Sequence, residues 1–512
     1  MTEPTQERST ASSTNDNRTK KVDLMKFFQA FYRTKGAMPA FVVSVLLSFG
    51  VASTIGIVPE VLSDRYSRLY HHYAGAPCFE FDRIDKPHAC QSGSDQAQAS
   101  SAWGSLLLSL LTLVFNPVVG SMSDVRGRRI MLIASIIVNA VAPLVLVLME
   151  WMNTMDPVWF YLANSVSGVV SYLPIVFAAL SDNLPEEYRA PGYALILAAF
   201  YGGYALAPSL PMVMDHFQVS LFSFVLVFVA LVYAVVAFPE TLPEEVRERN
   251  LAQLEASSER DPSNEEDCKG IAWFYYMASR PIREMSILNH DLLIRLVSIG
   301  SFLSSAVFAT DANLVLFYIE DQLDVRDKDI AQMFLVLGVV GVLFQAFLLQ
   351  PLTHFLGEKG LLVTSFLSGT FHNMLYGIAK NKSTIYLALA FSQLTKTNLP
   401  LLSSFASKSA SADAQGQVQG ALTALNALGA AVGPLSMQFI YDETKDSGRP
   451  GTMFLFAAML YFLATIAVSF IPAKPEPRSS SPDTRNDDDR ILDTSSSQQD
   501  LEQPLLQEED SD

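Results

Sequence analysis

Long apolar runs are the feature that most constrains what this chain can fold into. Each run holds about 20 residues with few charges, enough for a helix to cross the hydrocarbon core of a bilayer. Helices suit that environment because they satisfy their own backbone N–H and C=O groups. Of the 512 residues, 50% are hydrophobic and 17% are charged, against about 25% charged in soluble domains. The sequence therefore predicts an all-α membrane protein.

We predict twelve transmembrane helices, numbered spans 1 to 12, in two six-helix halves. The first half is predicted at residues 38–62, 99–119, 130–151, 157–180, 191–214 and 219–238. The second half is predicted at residues 291–319, 330–349, 360–379, 384–405, 416–440 and 452–471. The halves thus occupy residues 38–238 and 291–471.

Polar segments flank and separate the halves. Residues 1–37 and the Ser-rich acidic residues 472–512 lack the apolar content of a packed core, so we expect both to be disordered. Residues 239–290 are predicted to form a linker containing one or two short amphipathic helices. Much of the net charge of −17 lies in the C-terminal segment, so it does not indicate a nucleic-acid partner.

Lys and Arg set the expected orientation, because they are enriched in cytoplasmic loops. Four precede span 1, three follow span 2 and five lie in the linker, namely Lys20, Lys21, Arg33, Lys35, Arg126, Arg128, Arg129, Arg247, Arg249, Lys269, Arg280 and Arg283. The first outward loop also holds four, which are Arg65, Arg68, Arg83 and Lys86. These weaken the bias without reversing it, so both termini and the linker are predicted to be cytosolic.

The loop between spans 2 and 3 carries a compact motif. It reads Gly120-Ser-Met-Ser-Asp124-Val-Arg-Gly127-Arg128-Arg129. Gly120 permits close helix approach, and Gly127 can take positive φ in a tight turn. Asp124 can pair with Arg or lie at a helix N-terminus, while the Arg pair is typical of a cytosolic helix end.

This motif resembles the loop signature of the major facilitator superfamily. The resemblance implies a secondary transporter, working by symport or antiport, in which the motif is a cytosolic latch between the halves. Two short runs, Pro239-Glu-Thr-Leu-Pro-Glu-Glu and Ser181-Asp-Asn-Leu-Pro-Glu-Glu-Tyr-Arg, resemble hippocampus-abundant-transcript-like proteins and tetracycline exporters, as does Gln415-Gly416-x-x-x-Gly420. They imply proton- or gradient-driven transport of a small solute, with the bilayer as the other partner.

The sequence departs from those exporters at two positions. Asn164 stands where the resemblance leads us to expect Arg, four residues before Gly168, and Ala207 precedes Pro208 where Gly is expected. Corresponding small-residue elements still occur in both halves and predict close packing and helix bending. They contain Gly203 and Pro208 in span 5, and Gly429, Gly433 and Pro434 in span 11. Residues 350–359 form a degenerate copy of the loop motif, with His354 in the place of Asp124.

Two ionisable residues inside spans are candidate substrate or ion sites, since such groups are costly in a membrane. Asp311 in span 7 is the first choice for a coupling proton or cation, and Lys396 in span 10 for an anionic substrate group. We expect separate sites, about 15 Å apart along the membrane normal. The alternatives are a carboxylate held near the outer mouth and a gate-stabilising or snorkelling Lys.

Uncharged side chains on cavity-forming spans are further candidates for binding solute. They are Asn164, Tyr201, Tyr204 and Gln393. Ordinary interhelical hydrogen bonds are the alternative for each of them. His372 in span 9 is predicted to be a hydrogen-bonded structural residue.

Cysteines and missing motifs narrow the functional class. Cys78 and Cys90 share the predicted outward loop, where an oxidising compartment favours a disulfide. Nearby His71, His72 and His88 leave a metal site as the alternative, although their spacing fits no standard ligand pattern. Neither a phosphate-binding P-loop nor a nucleophile–base constellation occurs in the sequence, so we expect no enzyme and no cofactor. The alternative function is a non-transporting receptor or scaffold with the same fold. Leu505 and Leu506, after Glu502 in the tail, resemble an adaptor-binding signal for endolysosomal or vacuolar membranes.

Overall fold

Apolar helices make up most of the computed structural model of the chain. The structure describes residues 24–81, 87–259, 281–323, 338–444 and 451–472. Within them, nine segments are long and apolar enough to cross a membrane, and the longest, Gly338–Gly377, contains spans 8 and 9. Spans 5 and 10 fall below that measure because they are richer in small and polar residues. Together these segments form the predicted twelve spans in two halves.

The first half contains spans 1 to 6. Their helices are Ala37–Ser53 with Val58–Tyr70, His88–Arg126, Arg128–Trp151, Val158–Val166 with Tyr172–Asn183, Glu186–Leu206, and His216–Ala237. The second half contains spans 7 to 12. Their helices are Leu292–Leu323, 338–356, 358–377, Lys382–Thr395 with Asn398–Ser409, Gln415–Thr444, and Thr452–Ser469.

We name the two ends of the bundle by their loops. The motif end carries the loop between spans 2 and 3, and the disulfide end carries the loop between spans 1 and 2. At the latter, Cys78 and Cys90 form a disulfide, with Cα atoms 5.5 Å apart. Spans 1 and 2 extend well beyond their predicted ends toward this loop. Arg65 is therefore helical and donates to the Met149 carbonyl at 2.6 Å instead of lying in a loop.

The prediction that residues 1–37 are disordered is wrong for part of that segment. Leu24–Arg33 is an amphipathic helix at the motif end. Phe27 and Phe31, one turn apart, are each 1% exposed within the core of the first half. Their burial offsets the entropy of ordering a short helix. One helix, Glu244–Glu259, lies in the predicted linker, whereas residues 1–23, 260–280 and 473–512 lie outside the described residues.

Glycines bring the halves together along spans 2 and 11, which share the most extensive contact between described helices. A Cβ on Gly120 would collide with the Gly416 carbonyl, and one on Gly420 would collide with the Asn116 carbonyl. Within the halves, Gly203 packs on Ser48, and Gly429 and Gly433 pack on span 7. The α-helix of span 5 passes into a 3₁₀ helix at Ala207, whereas span 11 continues through Pro434.

Candidate functional site

At the motif end, Asp124 of the first half bonds to the second half. We call Asp124 and the residues that hold it the clasp. Its two carboxylate oxygens accept from the backbone N–H groups of Gly416 and Gln417, both at 2.8 Å. These two N–H groups lie in the first turn of the span 11 helix, where unpaired N–H donors and the helix dipole favour an anion. The carboxylate is nearly inaccessible to solvent. One side chain of the first half therefore caps a helix of the second.

Arg128 holds that carboxylate from the other side. Its guanidinium is 0% exposed and lies 2.7 Å from Asp124 and 3.1 Å from Asp182, at the end of span 4. A third donor contact reaches the Ser123 hydroxyl at 2.6 Å. Two carboxylates thus surround one buried cation, which leaves a net negative charge that the span 11 N-terminus offsets.

Glu240 and Asn250 complete the clasp, and the motif alone did not reveal them. The Glu240 carboxylate accepts from the backbone N–H groups of Arg128 at 2.9 Å and Arg129 at 3.2 Å, so it caps span 3. Asn250, on the linker helix, donates to the Asp124 carbonyl at 2.9 Å and the Asp413 carbonyl at 3.2 Å. The only sequence signal was the Pro239-Glu-Thr-Leu-Pro run that contains Glu240.

Spans 4 and 10 occupy corresponding places in the two halves, and both are broken near mid-span. Span 4 loses its helix over residues 167–171, and span 10 at Lys396 and Thr397. Asn116 of span 2 bridges the first break, donating to the Gly168 carbonyl at 2.8 Å and accepting from the Ser171 N–H at 3.3 Å. Broken helices at matching positions are a good indicator of a binding site in transporters.

A cavity of about 290 Å³ lies beside these breaks, lined by residues of spans 2, 3, 4, 10 and 11. It therefore draws on both halves. Ser167 and Ser171 of the span 4 break border it, together with Gln419 and Asn426 of span 11. None of the candidates Asp311, Lys396, Asn164, Tyr201, Tyr204 and Gln393 is among its lining residues.

Lys396 instead joins the halves by a cation–π contact. Its Nζ lies 5.1 Å from the centroid of the Tyr201 ring on span 5, and its carbonyl accepts from the Gln345 side chain of span 8 at 2.8 Å. The ammonium thus rests on an aromatic face, which attracts cations. This contact does not test whether Lys396 binds an anionic substrate group, so that role stays a prediction.

The uncharged candidates are dispersed. Tyr204 stacks on Phe200 with centroids 4.3 Å apart, and Asn164 is exposed near the span 4 break. Gln393 is buried, and its amide nitrogen donates to the Leu389 carbonyl one turn earlier at 3.3 Å. These contacts are the local and aromatic kind expected of packing residues, and a solute-binding role stays a prediction for all three.

Asp311 lies with His372, a residue predicted to have a structural role only. The His372 Nε2 is 3.8 Å from the Asp311 carboxylate, and Asn373 hydrogen-bonds to the same carboxylate. The His372 ring packs edge-on against Tyr376, with centroids 4.5 Å apart. Among the described residues, the other Asp311 oxygen has no hydrogen-bond partner. Spans 7 and 9 therefore enclose an acid–base pair inside the second half.

The helical bundle has two halves, a clasp that joins them and a cavity between them, and it buries ionisable groups. These features are typical of a multi-pass membrane transporter. The chain belongs to the Major Facilitator Superfamily, whose family model matches residues 40–434 and, in a second alignment, 297–506.

Two groups of relatives resemble the chain in sequence. Human hippocampus abundant transcript 1 protein is 24% identical over 393 residues, which cover 71% of this chain and 75% of the relative. The class E tetracycline resistance protein of Escherichia coli is 25% identical over 380 residues, covering 73% and 87%.

Solved structures share the fold. The human organic anion transporter MFSD10 (TETRAN) matches with a TM-score of 0.65 at 19% identity, over 85% of this chain and 98% of that one. The proton:xylose symporter XylE matches with a TM-score of 0.59 at 14% identity, over 88% and 97%. At such identities the likeness concerns the fold alone.

Proposed function

We propose that the protein is a secondary active transporter that moves a small solute by alternating access, with the motif end facing the cytosol. The observation that carries this proposal is the bond between Asp124 of one half and the N-terminus of span 11 in the other. Alternating access needs a contact between halves that can be broken as a unit. Two hydrogen bonds to one carboxylate meet that need, and opening the cytosolic side would release both.

Asp124→Asn tests the gate. The amide keeps the shape of the carboxylate but loses its charge and one acceptor, so the docking of span 11 weakens while Arg128 retains Asp182. We expect solute counterflow in proteoliposomes to fall at least tenfold. A Ser403→Cys probe in the cavity should be labelled faster from the cytosolic side. The matched control is Glu245→Gln, an exposed carboxylate of the linker helix. Wild-type counterflow and labelling in Asp124→Asn would refute the gate assignment.

We propose that transport is coupled to protons through Asp311, with His372 as its partner. A carboxylate shut inside a helical bundle changes its protonation when the bundle opens, because ionised groups are costly away from water. The titratable groups that face it are His372 and Tyr376 of span 9 and Tyr461 of span 12.

Asp311→Asn tests the coupling. We expect loss of uptake driven by a pH gradient, with retained counterflow under equal pH, since exchange needs no net proton movement. Asp95→Asn makes the same change at an exposed site in span 2 and should behave as wild type. Undiminished pH-driven uptake in Asp311→Asn would assign Asp311 a structural role. A protein that exchanges no solute in either assay would instead be a receptor or scaffold.

We also propose that the protein is located in an endolysosomal or vacuolar membrane, because sorting adaptors bind Leu505 and Leu506. Both residues lie outside the described part of the chain, so the support is the acidic-Leu-Leu sequence alone. Changing both Leu residues to Ala in a fluorescent fusion should move the protein to another membrane. An unchanged location would exclude the tail signal.

A further inference from the structure

The helix Leu24–Arg33, which we call the N-terminal helix, has two chemically different faces at the motif end. One face buries Phe27 and Phe31 in the core of the first half. The opposite face exposes Lys26 and Arg33, two turns apart. We infer that this outward face binds the headgroups of anionic phospholipids in the adjoining leaflet. This lipid site is distinct from the transport role proposed above and does not depend on it.

Every charged residue in the segment 24–36 is cationic and exposed. These residues are Lys26, Arg33 and Lys35. Within the described part of the chain, none of their side chains has an ion-pair or hydrogen-bond partner. In the linker helix at the same end, by contrast, Arg247 lies 3.2 Å from Glu244. Its neighbour Arg249 lies 3.8 Å from Asp413. The unpaired cations of the N-terminal helix therefore remain available to anionic headgroups, which attract Lys and Arg near a membrane surface.

Exposed apolar groups lie beside these cations. Met25 and Tyr32 directly precede Lys26 and Arg33 in the chain, and each is 73% exposed. Tyr is enriched at the level of the headgroups, where its ring contacts apolar chains and its hydroxyl stays in water. Interfacial helices combine basic and apolar side chains in this way. The composition of the exposed face therefore favours a lipid surface over a soluble anion.

Span 8 indicates the depth of the N-terminal helix in the bilayer. Phe28 packs against Phe347 of span 8, with ring centroids 6.5 Å apart. Phe347 and Leu343, one turn apart, are 52% and 53% exposed on the apolar outer surface of that span, so they face hydrocarbon. The apolar run of span 8 ends at Gln350. The N-terminal helix therefore lies beside the edge of the hydrocarbon, at the level of the headgroups.

Contacts with both halves hold the N-terminal helix in this place. Phe27 packs on Tyr188 of span 5, with ring centroids 5.9 Å apart, and Phe28 reaches span 8 of the other half. A packed helix, rather than a loose chain, therefore carries the cations. Such preorganisation lowers the entropy cost of binding headgroups.

Lipid-selective quenching tests this inference with the full-length protein in nanodiscs that hold one copy each. A fluorophore is attached to Gln29→Cys, an exposed position on the outward face, in a Cys268→Ser background, since Cys78 and Cys90 are paired. We expect spin-labelled phosphatidylserine to quench this probe at least threefold more than spin-labelled phosphatidylcholine at equal mole fraction. The excess should fall between about 0.05 M and about 0.5 M salt, because salt screens exposed charges. Equal quenching by the two lipids would overturn the inference.

Two controls separate a lipid from a soluble anion and from charge elsewhere at the motif end. Soluble glycerophosphoserine has the same headgroup without acyl chains, and it should leave the quenching unchanged. Loss of the quenching on its addition would assign the face to a soluble anion and overturn the inference. A probe at Glu248→Cys, exposed on the linker helix, should show no excess quenching by phosphatidylserine. An equal excess at that position would mean that the N-terminal helix is not the lipid site.

Removing two of the cations sharpens the test. The excess quenching should fall at least threefold when Lys26→Gln and Arg33→Gln are combined, and Gln preserves the helix because its helix propensity is similar. The matched control combines Arg247→Gln with Arg249→Gln. It removes two cations that already have acidic partners, so it should keep the full excess. An unchanged excess in the first variant, or an equal loss in both, would contradict the assignment. The salt dependence of the wild type decides the matter if a variant does not fold.

Discussion

The loop between spans 2 and 3 and the loop between spans 8 and 9 share one backbone feature, a glycine with positive φ. Gly127 has φ 99° and ψ 155°, and Gly357 has φ 72° and ψ 159°. This region of conformational space is essentially restricted to glycine. In each half the glycine turns the chain between two helices at a corresponding place. The two loops differ in what surrounds this turn.

Side chains distinguish the first loop from its copy. In the first, buried Arg128 pairs with Asp182 at the end of span 4. In the copy the signs are reversed, since Glu358 pairs with Lys408 at the end of span 10, 2.5 Å away and partly exposed. Phe355 of the copy is 88% exposed. The ion pair within each half is retained, but it is less completely buried in the copy.

Only the first loop reaches the opposite half through a carboxylate. Asp124 binds the N-terminus of span 11, whereas His354, which stands in its place, has no hydrogen-bond or ion-pair partner among the described residues. The turn and the ion pair within each half occur at both loops. Among the described residues, a carboxylate contact between the halves occurs at the first loop and not at its copy.

The largest expected difference concerns the two ion pairs. Arg128→Ala should lower the free energy of unfolding by about 3–5 kcal/mol, because it leaves two buried carboxylates uncompensated. Lys408→Ala should cost less, about 1–3 kcal/mol, because the Glu358 carboxylate that it leaves unpaired is mostly buried but still reaches water in part. Denaturant unfolding in detergent measures both. Equal losses would show that burial does not separate the two loops.

A smaller difference should separate the two glycines. Gly357→Ala should cost about 1–3 kcal/mol from backbone strain alone, as a Cβ there meets nothing within 4 Å. Gly127→Ala should cost about 1–3 kcal/mol more, because its Cβ would collide with the Glu240 carboxylate. Thermal melts of both variants, paired with counterflow, check this. Matching melting temperatures would mean that Glu240 moves aside without loss.

The smallest effect is expected for His354→Asp. A carboxylate placed in the copy has no helix N-terminus bonded to it, so unfolding should change by less than about 0.5 kcal/mol. Counterflow should stay at the wild-type rate. Faster or slower counterflow in this variant would indicate that the copy also gates the protein.

Much of the fold could be predicted from local sequence. Apolar runs of membrane-spanning length placed twelve helices, and the glycine-rich motif placed the turn between spans 2 and 3. Helix ends were less certain where polar residues continue a helix past the bilayer, as Arg65 does by bonding to Met149. The helix Leu24–Arg33 was missed because its two buried aromatic residues stand in a polar segment.

The site was harder to predict because its partners are distant in sequence. Asp182 lies 54 residues from Arg128, and Gly416 lies 292 residues from Asp124. No local pattern encodes such pairs. The cavity lies beside two helix breaks, one of which is bridged by Asn116, and the charged residues inside spans, Asp311 and Lys396, lie outside it.

The break in span 4 divides it into two helices joined by residues 167–171. In the second helix, Tyr172–Asn183, Tyr172 lines the cavity and Asp182 contacts Arg128. These two residues of the helix lie about 15 Å apart along its axis. This helix therefore connects the cavity lining directly to the buried ion pair between Asp182 and Arg128. Any change at the cavity that moves this helix would therefore also move the partner of Arg128, without contact to the loop between spans 2 and 3.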